Sequence, residues 1–550
     1  MEIKKVNIEN YKCFKGKFSV NLNSHVNIFV GNNESGKSTI LEAINLALSG
    51  TLDGKYLKNE LNPYLFNYFT VQDYTESLLK NDIPSQAPPS ILIEVYFDSN
   101  CQELAAFKGN GNSERTNACG LSLRIEFDPE YQSEYEALVK TQRINTIPIE
   151  YYRIIWQSFA RDSITAKSIP MKPSLIDSST ERYQNGSDIY ISRIMNANLD
   201  ETEKAAIMQE YRRLKEEFGQ AESIKNINDK IKSKSKLTDK EISISVNLTT
   251  YNSWQTTLLT YLNNIPFQYI GKGEQCIVKT DLALGHSKSK EANVILIEEP
   301  ENHLTHTKLN NLLAGIEKKC EDKQIIIATH SSFVANKLGI ENIIIINKQK
   351  LTPLKTLSPE TFDFFKKLPG YQTLRQILCK KAILVEGPSD ELIFQKAYMS
   401  ASGGKLPIYE ELDVISVGLS FERFLEISLI LEQPTGVITD NDGDYIQKIE
   451  KKYKKYEGKK HIKIFADNRD GNNNTERLNT LELQFIDANL NILERIIKIL
   501  NLNDDEYRNK SQVIDYMINN KTEWALRVFE TDKEIYFPAY INNAVRWARE

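Results

Sequence analysis

The segment HVNIFVGNNESGKSTILEAINLAL, residues 25–48, constrains the fold more than any other stretch of the chain. An apolar run leads into the pattern G-x-x-x-x-G-K-S, which Gly31, Gly36, Lys37 and Ser38 satisfy, and an amphipathic pattern follows. The backbone N–H groups of such a turn and the positive end of the next helix attract phosphate oxygens. The spacing predicts a phosphate-binding loop between a strand and a helix of an α/β fold, with a purely structural glycine turn as the alternative.

The side chains of this loop predict how ATP would be bound. Lys37 would reach the β- and γ-phosphates, Ser38 would bind Mg²⁺, and Thr39 would hydrogen-bond a phosphate. The predicted nucleotide-binding residues of the loop are Asn32, Asn33, Gly36, Lys37, Ser38 and Thr39.

Two later segments predict the rest of a nucleotide site. In NVILIEEPENHL, an apolar run from Val294 to Ile297 ends in Glu298 and Glu299, and in QIIIATHSSF a similar run ends near His330. Acids at the carboxyl end of a buried strand suit a metal-water ligand and a base that polarises water.

With these three motifs the chain resembles the ABC-type ATPases, specifically their SMC-like branch. The resemblance implies that Glu298, where Asp is commoner, holds the Mg²⁺ water, that Glu299 is the general base, and that His330 senses the γ-phosphate. GKGEQ, residues 271–275, is similar to a short form of the signature loop that caps ATP from a partner subunit, although a chance match is the alternative.

Composition narrows the remaining choices. The chain has 550 residues, 41% of them hydrophobic and 26% charged, which is typical of a globular protein of about two to four domains. Its net charge of −5 gives no global sign of a nucleic-acid binder, so DNA contact needs a local basic surface or metal ions. No apolar stretch reaches the roughly 18 residues of a membrane span, and the start has no secretory signal. The cysteines are too dispersed for a zinc ribbon or disulfide framework, and we expect a cytoplasmic protein without membrane contact.

The middle of the chain predicts a helical insertion. Residues 186–232 carry interrupted apolar stripes with helical spacing, and no heptad pattern persists. The apolar positions are Ile191, Ile194, Met195, Ala206, Met208, Tyr211 and Leu214. We interpret this insertion as a compact dimerisation element.

The last third contains two further strands that end in acids. AILV, residues 382–385, leads into Glu386 and Gly387, and GVIT, residues 436–439, leads into Asp440, Asp442 and Asp444. Carboxylates at the carboxyl ends of adjacent parallel strands meet at one crevice. Their mutual repulsion favours a site for Mg²⁺ or Mn²⁺, which prefer such hard oxygen ligands.

These motifs resemble the Toprim domain, a Rossmann-like metal-binding fold whose signatures are a strand ending in Glu-Gly and a later Asp-x-Asp. An SMC-like ATPase head followed by a Toprim domain is the architecture of the OLD (overcoming lysogenisation defect) nucleases. NTLELQF and KTEWALRVFE are similar to OLD segments that supply a second-metal glutamate, here Glu482, and a catalytic lysine, here Lys521. The metal ligands implied by the resemblance and by the acidic spacing are Ser38, Glu386, Asp390, Asp440, Asp442, Asp444 and Glu482, and the implied catalytic residues of the Toprim domain are Glu386, Asp440, Asp442 and Lys521.

We therefore predict four parts of an α/β protein. They are an ABC/SMC-like ATPase head in residues 1–185 and 241–350, a helical dimerisation insertion in 186–240, and a Toprim domain in 375–550. The resemblance implies an ATP-binding, divalent-metal-dependent endonuclease that acts on double-stranded DNA as a homo-oligomer, encoded by a bacterium, an archaeon or a phage. Some similar proteins serve antiphage defence beside a helicase-like or retron-type partner, as in Gabija-like and retron-associated systems. The alternatives are a topoisomerase- or primase-like enzyme and an ATPase scaffold with an inactive Toprim domain.

The run KIEKKYKKYEGKKHIKIF, residues 448–465, has two readings. Next to a metal site it would hold a phosphate backbone, and otherwise it is an exposed helix and hairpin in contact with solvent.

Overall fold

The structure is a computed structural model of the chain. It describes residues 1–52, 54–80, 87–98, 102–141, 144–177, 183–184, 187–188, 199–234, 243–246, 259–285, 293–319, 323–347, 349–367, 371–471, 477–502, 507 and 509–550. The chain divides into two compact units, Met1–Leu338 and Gly339–Glu550.

The first unit is built on two sheets. Its strands, in chain order, are β1 (Ile3–Glu9), β2 (Lys17–Asn21), β3 (Val26–Gly31), β4 (Thr51–Leu52), β5 (Lys55–Tyr56), β6 (Ile91–Phe97), β7 (Lys108–Gly109), β8 (Ala118–Phe127), β9 (Tyr152–Ser158), β10 (Pro173–Asp177), β11 (Tyr183–Gln184), β12 (Ser187–Asp188), β13 (Tyr261–Leu262), β14 (Ile265–Pro266), β15 (Val294–Glu298) and β16 (Gln324–Thr329). An antiparallel sheet has the order β2-β1-β6-β8-β7, with β9 also paired to β8. A parallel sheet has the order β10-β15-β16-β3 within this unit.

The parallel sheet explains why distant sequence motifs meet. β3, β15 and β16 are nearly continuous apolar runs and are buried, as expected for parallel strands covered on both faces. Their carboxyl ends lie at the same edge, so the phosphate-binding loop after β3 and the acids after β15 share one crevice.

The helices of the first unit include α1 (Lys37–Ser49), which packs against strands of both sheets, and two helices of the predicted insertion. They are α1 (Lys37–Ser49), α2 (Leu57–Glu60), α3 (Tyr68–Lys80), α4 (Gln132–Thr141), α5 (Glu201–Gly219), α6 (Glu222–Lys234), α7 (Lys272–Gly285), α8 (His306–Lys319) and α9 (Ser332–Lys337), with 3₁₀ turns at Pro63–Leu65, Gln102–Phe107, Pro129–Tyr131, Ile149–Tyr151 and Phe267–Tyr269. α5 begins with a capping box, in which Asp200 accepts from the Glu203 backbone N–H and the Glu203 side chain accepts from that of Asp200. Residues 186, 189–198 and 235–240 of the insertion, with Ile191, Ile194 and Met195, lie outside the described residues. Its role in dimerisation, like the predicted domain limits, stays a prediction.

The second unit contains a four-stranded parallel sheet with the order β20-β19-β21-β22 and, apart from it, an antiparallel pair β17–β18. Its strands are β17 (Ile343–Asn347), β18 (Lys350–Pro353), β19 (Lys381–Val385), β20 (Leu412–Ser416), β21 (Thr435–Ile438) and β22 (Ile462–Phe465). Its α-helices are α10 (Pro359–Lys367), α11 (Tyr371–Leu378), α12 (Pro388–Ser402), α13 (Phe421–Leu431), α14 (Leu481–Ala488), α15 (Leu493–Ile499), α16 (Lys510–Asn519), α17 (Lys521–Glu530) and α18 (Ala539–Arg549), with a π-helix at Ile446–Lys451 and 3₁₀ turns at Ile340–Asn342, Leu354–Thr356, Pro407–Glu410, Lys454–Tyr456 and Leu490–Ile492.

One apolar core holds the parallel sheet of the second unit in place. Ile383 and Val385 of β19 pack in it with Phe394 of α12, and the Phe485 and Trp524 rings, from α14 and α17, lie 5.3 Å apart. In the described part of the chain, no helix is long and apolar enough to cross a bilayer.

Candidate functional site

The phosphate-binding loop has the strand–turn–helix form that its sequence predicts. It follows β3, and α1 begins at Lys37. Gly36 precedes this helix at φ 100°, in the left-handed region, and a Cβ added there would lie 2.5 Å from the Phe14 ring. A residue with a side chain would be strained both by its backbone angle and by this contact.

Lys37 is buried beneath the loop. Its Nζ donates to the carbonyl oxygens of Gly31 and Asn32 at 3.0 and 2.9 Å. Burial lowers the pKa of Lys37 to about 8, although Glu299, Glu298 and Glu301 favour the charged form. A bound phosphate would add a further negative charge beside this amine and stabilise its charged form.

The other predicted loop residues lie at the surface or near it. Asn32, Asn33 and Ser38 are exposed, so these side chains are accessible to a ligand. The Thr39 hydroxyl accepts from the Cys13 thiol at 3.5 Å.

The acids after β15 and the histidine after β16 are close together. Glu298 is the last residue of β15, and Glu299 follows with φ 43°. Glu299 Oε1 lies 3.6 Å from His330 Nε2, and its Oε2 accepts from Asn302 Nδ2 at 2.8 Å. The pKa of His330 is lowered by burial and, to a smaller extent, by Lys37. A neutral histidine beside a carboxylate can accept a proton through one ring nitrogen and donate a hydrogen bond through the other.

Glu301 also belongs to this site, although its sequence position alone does not predict a role for it. Its Oε1 accepts from the Thr329 hydroxyl at 2.6 Å and from the backbone N–H groups of His330 and Ser331, each at 3.0 Å. Burial raises the pKa of Glu301, and its Oε2 is buried without a hydrogen-bond partner among the described residues. Glu301 therefore fixes the backbone of His330, the residue predicted to sense the γ-phosphate. The only sequence signal was a third acid two residues after Glu299.

The segment GKGEQ lies at the start of α7. A Cβ added to Gly273 would lie 2.4 Å from the carbonyl oxygen of His303, so the two backbones approach too closely for any side chain there. Gln275 is buried and donates to the carbonyl oxygens of Phe267 and Ile270.

In the second unit, the acids after β19 and β21 meet as the parallel topology predicts. β19 and β21 are neighbours, with Leu384 in register with Val437. Glu386 Oε1 accepts from the Thr439 hydroxyl at 2.7 Å and from the Asp440 backbone N–H at 3.3 Å. Glu386 and Asp440 therefore share one crevice at the carboxyl edge of the sheet.

Two helix N-termini bring further carboxylates to this crevice. Asp390, in the first turn of α12, accepts from the Gly387 N–H at 3.1 Å, and Glu482, in the first turn of α14, is buried. Asp440 Oδ2 accepts from the backbone N–H of Leu481, next to Glu482, at 3.3 Å. We call Glu386, Asp390, Asp440 and Glu482 the carboxylate cluster.

The carboxylate cluster resists full ionisation. Burial, with the charge of Glu386 next in importance, raises the pKa of Asp390 to about 7. Burial also raises the pKa of Asp440 well above its usual value, with Asp390, Glu386 and Glu482 adding to the effect. Like charges in a poorly solvated crevice disfavour the charged form of each group.

Three other predicted residues stand apart from this cluster. Asp442 is exposed, at φ 50°, with Oδ2 3.6 Å from Lys448 Nζ. Asp444 Oδ1 accepts from the Gln447 backbone N–H and so caps the π-helix. Lys521 is exposed at the start of α17, and no hydrogen bond or ion pair joins it to the cluster in the described part of the chain.

The donor set suits a divalent metal even though the side chains do not surround a common point. Among the described residues, no three His, Cys, Asp or Glu side chains have the spacing of a metal centre. Asp440 Oδ1, however, is buried and has no described hydrogen-bond partner. A buried carboxylate oxygen without a donor is costly, and a hard cation would stabilise it.

A second set of hydrogen bonds supports the loop that carries Asp440. The buried Asn441 side chain donates to the carbonyl oxygens of Asp467, Arg469 and Leu478. Arg469 in turn forms ion pairs with Asp467 and Asp487. No sequence pattern indicates these supports, because they join segments that are distant in the sequence.

Family models match both units. The model described as "AAA ATPase domain" matches residues 1–335, and the model described as "Overcoming lysogenization defect protein-like, TOPRIM domain" matches residues 377–442. A comparison with curated protein sequences found no match.

Solved structures of SMC heads are similar to part of the chain. They include an Smc head bound to the C-winged helix domain of ScpA, with 13% identity, a TM-score of 0.35 and coverage of 65% of this chain and 99% of that one. The SMC head domain from Thermotoga maritima has 13% identity, a TM-score of 0.29 and coverage of 64% and 99%. The Smc head from Pyrococcus furiosus, with an extended coiled coil and bound to the C-terminal domain of ScpA, has 13% identity, a TM-score of 0.32 and coverage of 64% and 97%.

The family models confirm the predicted α/β fold class and the order of an ATPase domain followed by a Toprim domain. This pair of domains indicates an enzyme of the nuclease type that uses nucleotide and divalent metal. The chain belongs to the AAA ATPase domain family and is an ATPase–Toprim fusion of the OLD (overcoming lysogenisation defect) type.

Proposed function

We propose that the chain is an ATP-binding, divalent-metal-dependent endonuclease that hydrolyses phosphodiester bonds of double-stranded DNA. The observation that carries this proposal is the carboxylate cluster. Four acids from two strand ends and two helix N-termini lie in one crevice, and Asp440 has a buried oxygen to which no described residue donates a hydrogen bond. A structural role gives no reason to collect so many repelling groups, whereas binding Mg²⁺ or Mn²⁺ does.

The residues of this chain would divide the reaction as follows. The metal would be held by the carboxylate cluster, Glu386, Asp390, Asp440 and Glu482. Asp442 and Asp444, on the same loop as Asp440, would be additional ligands. The bound ion would activate water and stabilise charge on the phosphate. Thr439 and the Asp440 N–H orient the Glu386 carboxylate, and Lys521 would neutralise charge that develops on the phosphate. Water oxygen bonds to phosphorus, the P–O bond to the leaving strand breaks, and that strand takes up a proton.

ATP would act as a control signal in this scheme. Glu299 would serve as the base for ATP hydrolysis, Glu298 and Ser38 would hold the Mg²⁺ of the nucleotide, and His330 would sense the γ-phosphate. Because phosphodiester hydrolysis is already downhill, ATP is not needed as an energy source. It would instead regulate cleavage or the assembly of a homo-oligomer.

The biological setting that this chemistry fits is antiphage defence in a bacterium, an archaeon or a phage. A DNA endonuclease kept under nucleotide control can be held inactive until invading DNA is present. We include in this proposal that the chain works beside a helicase-like or retron-type partner.

A plasmid assay tests the proposal. Purified chain would be incubated with supercoiled plasmid and Mg²⁺ or Mn²⁺, with and without ATP. We expect nicking or linearisation that is lost in Glu386→Gln, retained in Lys37→Ala, and unchanged in Glu534→Gln, where the acid is exposed.

Other outcomes would point elsewhere. A ladder of relaxed topoisomers would indicate strand transfer, as in a topoisomerase. ATP hydrolysis without any change in the DNA would indicate an ATPase scaffold with an inactive Toprim domain.

A further inference from the structure

The segment after the Asp440 loop concentrates positive charge. Residues 446–463 contain eight lysines and two glutamates, a net charge of +6 with His461 neutral, whereas the whole chain has a net charge of −5. We call the lysines from Lys451 onward, all of them exposed or partly exposed, the lysine strip: Lys451, Lys452, Lys454, Lys455, Lys459, Lys460 and Lys463.

Buried residues between the lysines hold the lysine strip outward. Tyr453 and Tyr456 are 4% and 3% exposed, and Ile449 and Ile462 are also buried. The two tyrosines therefore anchor the segment and cannot serve as platforms for stacked bases, which would need exposed rings. What the segment presents to solvent is a row of ammonium groups, whose natural ligand is a row of phosphates.

Few of these charges are neutralised by the residues that the structure describes. Lys455 pairs with Glu422 at 2.7 Å, and Lys448, just before the strip, lies 3.6 Å from Asp442. Among the described residues, Lys451, Lys454, Lys459, Lys460 and Lys463 have no carboxylate within ion-pair distance. A surface of like charges that lacks internal partners attracts a polyanion.

The start of the lysine strip lies near the carboxylate cluster, because burial and then the charges of Glu422 and Glu386 raise the pKa of Tyr453, which stands between Lys452 and Lys454. Lys448 contacts Asp442 on the loop that carries Asp440, and the Thr439 backbone N–H donates to the Phe465 carbonyl at the end of β22. The segment then returns to the start of β22, a strand of four residues. Because β22 pairs parallel with β21, its start lies at the sheet edge opposite the cluster, and the lysine strip extends away from the crevice over about this strand length, roughly 13 Å, or about four base pairs at 3.4 Å each.

We propose that the lysine strip binds the sugar-phosphate backbone of duplex DNA beside the bond that the carboxylate cluster would cut. The inference rests on the proposed nuclease function and adds the surface that binds the substrate. Because the contacts are to phosphates, binding is independent of base sequence. It also explains how a chain with an acidic balance can hold DNA next to a crowd of carboxylates.

Salt-dependent binding tests the inference without relying on cleavage. In a Glu386→Gln background with Mg²⁺, fluorescence anisotropy would give the affinity for a labelled duplex at several salt concentrations. The strip variant replaces Lys451, Lys454, Lys459 and Lys460 by Gln. The control variant replaces four other exposed lysines of the same unit by Gln and so changes the net charge by the same amount. They are Lys366, Lys367, Lys380 and Lys405.

We expect the strip variant to lower the salt slope of log K by about 3 to 4, since each phosphate contact contributes about 0.9. Raising salt from about 50 to about 200 mM would then weaken duplex binding by the strip variant roughly 100-fold less than duplex binding by the protein that keeps all its lysines. The control variant should keep the original slope. In the active background, the strip variant should raise KM for plasmid cleavage and leave kcat nearly unchanged.

The outcomes separate this inference from the proposed function. DNA binding with an unchanged slope in the strip variant overturns the lysine strip and leaves the nuclease proposal standing. Absence of duplex binding by the protein that keeps all its lysines refutes both the lysine-strip inference and the nuclease proposal. Strip-dependent binding to single-stranded RNA or to anionic vesicles, without duplex binding, would also overturn the inference.

Discussion

Replacing Asp390 by Asn tests the crowding of the carboxylate cluster without any DNA. Asp390 Oδ2 accepts from the Gly387 N–H at 3.1 Å, and an Asn carbonyl oxygen can keep that bond. The substitution therefore removes a charge while it preserves the shape and the hydrogen bond. In EDTA, where the cluster has no cation, removing the charge should stabilise the second unit.

The magnitude follows from the pKa of Asp390, which burial and the nearby Glu386 raise from 3.8 to about 7. At about 1.36 kcal/mol per pH unit, the difference between a pKa of 3.8 and one of about 7 corresponds to roughly 4 kcal/mol. The Asp390 residue is partly exposed to solvent, which screens its charge. We therefore expect the substitution to raise the free energy of unfolding by about 2 to 4 kcal/mol. Because the folded-state pKa is the higher one, stability is lost as pH rises from about 4 to about 7 and stays low above that.

Hydrogen exchange of peptides that cover β19 and β21, in EDTA, measures the free energy of opening. At pH about 8 the Asp390→Asn variant should exchange more slowly than the native chain, and near pH 4 the difference should largely vanish. Asp532→Asn removes one exposed charge from the same unit and should have no such effect. Equal destabilisation of Asp390→Asn at both pH values would refute the reasoning.

Three further substitutions have expected outcomes. Thr439→Val removes the 2.7 Å hydrogen bond to Glu386 and should slow plasmid nicking about 10- to 100-fold with unchanged thermal unfolding; an unaffected rate would contradict this role. Glu301→Ala removes the acceptor for the His330 N–H and should reduce ATP hydrolysis without weakening nucleotide binding, whereas Glu301→Gln should retain more activity. Gly36→Ala, strained at φ 100°, should abolish binding of a fluorescent ATP analogue, and native affinity would be evidence against the loop.

Strand topology explains which parts of the site were predictable. Glu298, Glu386 and Asp440 lie at or just after the carboxyl ends of buried parallel strands, and an apolar run followed by an acid is visible in the sequence. Parallel pairing then brings Glu386 and Asp440 together without further information. The convergence of these two acids was thus predictable from local patterns.

The orientation of Asp442 was not predictable in the same way. Three acids at every second position resemble one face of a strand, but β21 ends at Ile438. The chain turns at Asp442 and Gly443, both with positive φ, so alternation no longer applies and Asp442 is exposed.

Contacts between distant segments were also outside the reach of sequence patterns. Glu482 lies on α14 and approaches Asp440 only because the Leu481 N–H donates to the Asp440 carboxylate; the sequence nominated it by resemblance alone. Tyr453 and Tyr456 alternate with lysines in a pattern that suits an exposed surface, yet packing buries both rings.

The proposal that the carboxylate cluster binds a divalent metal can be tested by titrating the chain with Mn²⁺ in the absence of nucleotide. Electron paramagnetic resonance measures the Mn²⁺ that stays free. We expect the full chain to bind Mn²⁺ and the double substitution Glu386→Gln with Asp440→Asn to abolish this binding, whereas Glu534→Gln should leave it unchanged. Equal Mn²⁺ binding by the native chain and by the doubly substituted chain would contradict it.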